Sequence, residues 1–145
     1  MFFLIYYIYH SIYLYSELKE DNFIGNSFPK QEKICSKITF QTLLNDNRSV
    51  FCYPFKCYYK ISEINSENIC NSFAVTIPKR LFKHAVDRNL LKRRTREAYR
   101  LQKKRLIPIS NEKKLTFALL FVYVAKERID YATIEESVSK IIDIV

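Results

Sequence analysis

The sequence predicts an α+β fold, a small mixed sheet with helices packed on it. Three observations carry that prediction. Residues 49–61 alternate in polarity, residues 116–125 form a near-continuous apolar run, and two further segments repeat their apolar residues at helical spacing. The chain has 145 residues, 48% apolar and 27% charged, which is the composition of one globular domain rather than of a disordered chain.

Taken in order, ICSKITFQTLLN (34–45) places Ile34, Ile38, Phe40 and Leu44 near helical intervals, with Ser36 as a cap and Asn45-Asp46-Asn47 as the stop. A short helix is expected there. In SVFCYPFKCYYKI (49–61), Phe55, Cys57, Tyr59 and Ile61 fall on one side and Lys56, Tyr58 and Lys60 on the other. That is a half-buried strand, with Pro54 marking an edge, a bend or a break. The polar turn SEINSEN (62–68) leads to a second strand, CNSFAVTI (70–77), ended by Pro78. A long helix is expected from about Lys83 to Arg105, bounded by Pro78 and Pro108. SNEKK (110–114) reads as a loop, and TFALLFVYVA (116–125) as a strand buried on both faces. Ile134, Val138, Ile141, Ile142 and Val145 make the last segment, 132–145, an amphipathic helix. Strands and helices interleave, so helices cover a single small sheet.

Residues 1–22 stand apart. Met1 to Tyr15 are almost all aromatic or aliphatic, yet the run is shorter than the ~17–25 residues that span a bilayer. It also lacks the basic start and small-residue cleavage site of a signal peptide. It is read as a disordered extension or a start-site artefact ahead of a domain covering 23–145, not as a membrane segment. The four cysteines (35, 52, 57 and 70) form no C-x-x-C pair and lie far from His10 and His84. They read as free thiols of a reducing cytoplasm rather than as a zinc site or a disulfide framework.

The charge is concentrated. The net charge is +9, and residues 79–105 hold twelve of the 24 Lys and Arg against only Asp87 and Glu97. Outside that element the chain is nearly neutral, a pattern that points to a polyanionic partner. On a helical wheel Arg88, Lys92, Arg93, Arg96, Arg100, Lys103 and Lys104 share an arc centred on Asn89, with Tyr99 near its Arg88 edge. Leu90, Leu91, Ala98 and Leu101 form the opposing apolar arc, and Asp87 is placed to assist capping. Like charges four apart, as in Arg88–Lys92–Arg96–Arg100, each cost an isolated helix ~0.2–0.5 kcal/mol. A nucleic-acid backbone relieves that repulsion and releases counterions. An anionic membrane surface and a merely solvated face are the weaker alternatives.

At this helix the sequence resembles the protein subunit of bacterial ribonuclease P. The resemblance runs through Phe73-Ala74-Val75, Lys79-Arg80 and Ala85-Val86 into Arg88-Asn89-Leu90-Leu91-Lys92-Arg93 and Arg96-Glu97-Ala98-Tyr99-Arg100. It extends back through Cys35-Ser36-Lys37, Phe40 and Tyr53-Pro54-Phe55, covering about residues 28–143. Leu90 stands where the family has a third-position arginine, and LFKH (81–84) replaces a shorter run containing Gly-Asn. The resemblance implies a fold like the second domain of ribosomal protein S5, with a left-handed βαβ crossover. It implies a ribonucleoprotein endonuclease that removes the 5′ leader of precursor tRNA, with catalysis carried by an RNA subunit and its Mg2+. The residues implied to bind that RNA are Lys79, Arg80, Arg88, Asn89, Lys92, Arg93, Arg96, Arg100 and Lys103.

A second site is implied between the first helix and the sheet, where the leader would lie against Phe40, Leu44, Lys56, Tyr58 and Lys60. The residue types suit that use, because aromatic rings flanked by cations bind single strands without fixed sequence. No cluster of carboxylates and no His/Lys pair marks a protein nuclease, so no protein side chain is expected to be catalytic or to hold a metal. The expected partners are the RNA subunit and precursor tRNA, with no small-molecule substrate and no membrane, in the cytoplasm. The alternative is a structural or ribosome-associated RNA-binding protein without a catalytic partner.

Overall fold

The structure, a computed structural model, describes residues 30–34, 37–46, 48–64 and 70–145. The extension at 1–22, the cap expected at Ser36 and the end of the polar turn at 65–68 lie outside those residues. The elements are α1 (Lys37–Asn45), β1 (Ser49–Cys52), β2 (Phe55–Glu63), β3 (Ser72–Thr76), α2 (Ala85–Gln102), α3 (Leu106–Lys113), β4 (Leu115–Tyr123) and α4 (Tyr131–Ile144). The fold is α+β, as expected.

The four strands are ordered β1-β2-β4-β3. β1 and β2 form an antiparallel hairpin around Tyr53-Pro54, and β2 pairs antiparallel with β4 over its whole length. β3 runs parallel to β4 and is joined to it through α2, which makes the βαβ unit and renders the sheet mixed. Pairing continues beyond β3 at Lys33, which bridges to Phe73.

Alternation assigns the two sheet faces. Phe55, Cys57, Phe73, Phe117, Leu119, Phe121 and Tyr123 are buried in one cluster with Leu91, Ala98 and Tyr99 of α2 and Ile134, Val138 and Ile141 of α4. Phe55 meets Phe121 and Tyr123 edge-on at 5.5 and 5.6 Å, which suits the charge distribution of aromatic rings. Leu43 of α1 and Leu120 of β4 are buried outside that cluster. Since α1 contacts β2 and β4, it covers part of the opposite face.

Three expectations need correction. First, Pro108 does not end helical structure. After a 3-10 turn at Lys103–Arg105 the chain continues into α3, where Pro108 occupies the first turn and its missing N–H would have had no partner. α3 ends at Lys114, in the left-handed region with φ 51, so SNEKK is mostly helix rather than loop. Asn71 ties α3 to the sheet by donating to Ser110 (3.1 Å) and accepting from the Phe117 N–H (3.0 Å).

Second, the buried side of α2 is turned by about 70° from the expected arc, at 100° per residue. Leu91, Thr95, Ala98 and Tyr99 face the core, while Leu90 is half-buried and Leu101 is exposed. Tyr99 stacks flat on Phe73, with centroids 4.0 Å apart, instead of edging the cationic side. Thr95 tolerates burial because its hydroxyl donates to the Leu91 carbonyl at 2.8 Å. Third, Asp87 does not cap α2. It accepts a hydrogen bond from Arg128 at 3.0 Å, and His84 occupies the cap position without a side-chain bond.

Candidate nucleic-acid interface

With Tyr99 and Leu91 inward, the outward side of α2 is centred on Arg93. Asn89, Arg93 and Arg96 are exposed, and neither arginine forms an ion pair among the described residues. Arg100 is half-buried and holds Glu97 through two contacts, of 2.6 and 2.9 Å. The hydrogen bond from Arg100 keeps the Glu97 carboxyl below its ordinary range, and the same bond raises Arg100 further. Lys92 is half-buried at the border of the core-facing side.

The remaining expected RNA-binding residues divide. Lys79 and Arg80 are exposed in the turn ahead of α2, so they stand off its start. Arg88 uses its guanidinium locally, donating to the Phe82 and Lys83 carbonyls, each at 2.7 Å. It shapes that turn. Lys103 leaves the outward set: its side chain is 7% exposed, and its ammonium pairs with Glu32 at 2.8 and 3.0 Å. The 3-10 turn and the chain ahead of α1 bring these two residues together, across 71 positions of sequence.

Arg94 was not singled out from the sequence. Its guanidinium donates to the Ile129 carbonyl at 2.9 Å and fastens the β4–α4 connection to α2. The Tyr123 hydroxyl serves the same connection, donating to the Glu127 carbonyl (2.7 Å) and accepting from the Ile129 N–H (3.1 Å). A groove of about 540 Å³ lies between these elements, lined by Leu90, Arg93, Arg94, Arg96, Glu97, Arg100 and Tyr131. Leu90 therefore forms an apolar patch inside a guanidinium-rich wall.

The other sheet face gathers the second expected set. Lys56, Tyr58 and Lys60 share one side of β2, half-buried, with the Lys56 ammonium 5.1 Å from the centre of the Tyr58 ring. The register continues this face as Tyr58–Leu120–Ala74 and Lys60–Ala118–Ser72. α1 overlies part of it through Leu43, which the sequence reading did not include, whereas Phe40 is half-buried and Leu44 exposed. Across this face small or aliphatic side chains lie beside a ring and two ammonium groups.

A mixed sheet with a cation-faced crossover helix on one side and an aromatic, lysine-flanked face on the other defines a polyanion-binding α+β domain. The family model described as Ribonuclease P matches residues 28–145. The ribonuclease P protein components of two strains of Porphyromonas gingivalis are each 29% identical over 111 residues, spanning 77% of this chain and 80% of the relative. The fold is shared with solved structures of the Staphylococcus aureus RNase P protein. One has a TM-score of 0.57 at 23% identity, covering 79% of this chain and 95% of that one. Another has a TM-score of 0.52 at 21% identity, covering 81% and 92%. This chain belongs to the ribonuclease P family, as a member of the protein-component kind.

Proposed function

We propose that this chain binds the catalytic RNA of ribonuclease P through α2 and the 5′ leader of precursor tRNA through the face beside α1. The observation that carries the proposal is the pair Arg93 and Arg96. Both are exposed and without ion pairs among the described residues, on a helix whose opposite side is locked into the core by Leu91 and Tyr99. Rigid support matters here. Cations on a fixed helix keep their spacing, so less ordering entropy opposes binding to phosphates.

In this reading Asn89, Arg93, Arg96 and Arg100 meet the RNA subunit, with Lys79, Arg80 and Lys92 at the border. Glu97 holds Arg100 until a phosphate competes for it. Arg88 and Lys103 contribute by holding the turn and the helix end that present the others. On the second face Tyr58 and Phe40 offer rings to unpaired bases, and Lys56 and Lys60 offer charge to the leader backbone.

Among the described residues no three His, Cys, Asp or Glu side chains converge, so the proposal gives no metal-supported step to the protein. Mg2+ held by the RNA subunit would supply activated water for a hydrolysis that leaves a 5′-phosphate on the tRNA. The protein's part is binding and orientation, which lowers the Mg2+ that the RNA needs. No helix among the described residues is long and apolar enough to cross a membrane, and the proposed setting is the cytoplasm.

The test is reconstitution. An RNA-subunit transcript and a precursor tRNA should show leader removal at low Mg2+ only when this chain is added. RNA binding with no gain in cleavage would overturn the proposal.

A further inference from the structure

Phe51 is 65% exposed on β1, the short strand at one edge of the sheet. Edge strands in soluble proteins usually carry charge or proline, because an open apolar edge invites pairing with another chain. A large aromatic ring here therefore calls for an occupant. The hairpin register shows what surrounds it. Phe51 pairs with Lys56, and Ser49 pairs with Tyr58, so Phe51 lies on the same face as Lys56 and Tyr58, opposite the side of Val50 and Cys52, whose partners Cys57 and Phe55 are in the core. It is one diagonal step from Tyr58, a separation of about 7–8 Å in an antiparallel pair. The Lys56 ammonium sits over the Tyr58 ring, and Lys60 follows on the same side of β2. Two rings and two cations thus lie on this face between α1 and the sheet edge.

We infer that Phe51 is a second stacking platform, which takes a leader base next to the one at Tyr58 and extends the single-stranded path across β1. The inference rests on the leader-binding reading above and adds a specificity-determining residue to it. The occupant is single-stranded RNA rather than an apolar peptide, because the ring lies among cations whose charge an apolar peptide would leave uncompensated. The contact is sequence-tolerant, since every base has a stacking face. Its effect should depend on leader length.

The chain contains no tryptophan, so Phe51→Trp places a single indole at this point. In the reconstituted holoenzyme its fluorescence should be quenched by precursor tRNA carrying a long leader and not by mature tRNA. Phe51→Ala should weaken binding of the long-leader precursor roughly 5- to 150-fold while leaving mature tRNA unaffected. Equal emission with both tRNAs, or quenching already complete on adding the RNA subunit alone, overturns the inference. Tyr58→Ala separates the two claims. If it loses leader-dependent affinity while Phe51→Ala does not, the leader face stands and its extension to β1 fails; if both variants are silent, both fail.

Discussion

The salt dependence of RNA binding separates cations that face a partner from those that hold the fold. Six of the expected RNA-binding cations lie outward on α2 and the turn before it, Arg100 in a pair with Glu97: Lys79, Arg80, Lys92, Arg93, Arg96 and Arg100. At a slope of about −0.9 per neutralised phosphate, six contacts give roughly −5 in log affinity against log salt. A rise from 50 to 200 mM then costs the natural protein roughly a thousandfold in affinity. The double variant Arg93→Ala/Arg96→Ala should have a slope nearer about −3.6, and the same rise should cost it only roughly a hundredfold. Lys103→Met is the contrast. It removes a cation whose ammonium is buried against Glu32, so the slope should not move. Stability should instead fall by about 2 kcal/mol, less than for a fully buried pair because the Glu32 side chain keeps 20% exposure. Titration of labelled RNA subunit at several salt concentrations, beside urea unfolding of the free protein, reads both quantities. A Lys103→Met variant that flattened the slope at unchanged stability would refute this division of labour, as would a double variant with the natural slope.

Other expectations follow from single features. Phe40→Ala and Tyr58→Ala should each weaken binding of leader-bearing precursor by ~1–3 kcal/mol and spare mature tRNA; equal losses on both substrates in an affinity titration would contradict the two-surface arrangement. Lys114 ends α3 at φ 51, where a side chain is unfavourable, so Lys114→Gly should raise the unfolding free energy by roughly 0.5–1 kcal/mol in urea melts. Burial pushes the Cys57 thiol up from 9.0 to about 12. The unfolded chain then releases its proton near pH 9 while the folded chain keeps it. This contribution to stability is intact below pH 9 and falls as pH rises from there toward about 12, by about 1.4 kcal/mol per pH unit. Cys57→Ala should reduce that slope in alkaline unfolding curves. A slope unaltered by the substitution would mean that other groups carry it, such as the buried Tyr99 hydroxyl, whose pKa is raised in the same direction.

The faces of β2 were legible because its neighbours in sequence differ sharply in character. Phe55, Cys57 and Tyr59 could only go inward if Lys56, Tyr58 and Lys60 went outward, and the register agrees. The faces of α2 were less legible. A wheel ranks leucines as core, but a threonine that bonds its own helix and a tyrosine that stacks on Phe73 outweighed Leu90 and Leu101. Lys103 could not be placed from its neighbours, since Glu32 lies 71 residues away. Phe51 was read into a strand, but Pro54 interrupts the alternation, and only the pairing with Lys56 fixes its face. α3 was missed because a proline was taken as a stop when it stood in a first turn.

The continuous β2–β4 ladder, from Phe55↔Tyr123 to Glu63↔Leu115, constrains how this protein can vary. A single added or deleted residue within it would send Phe55 and Cys57 into solvent and drive two ammonium groups into the oil of the interior. Length changes in homologues should therefore occur in twos along this ladder, or be absorbed in the connections around it. The same parity rule applies to an engineer who wishes to graft a different groove onto this scaffold: substitute every other position, and leave the spacing alone.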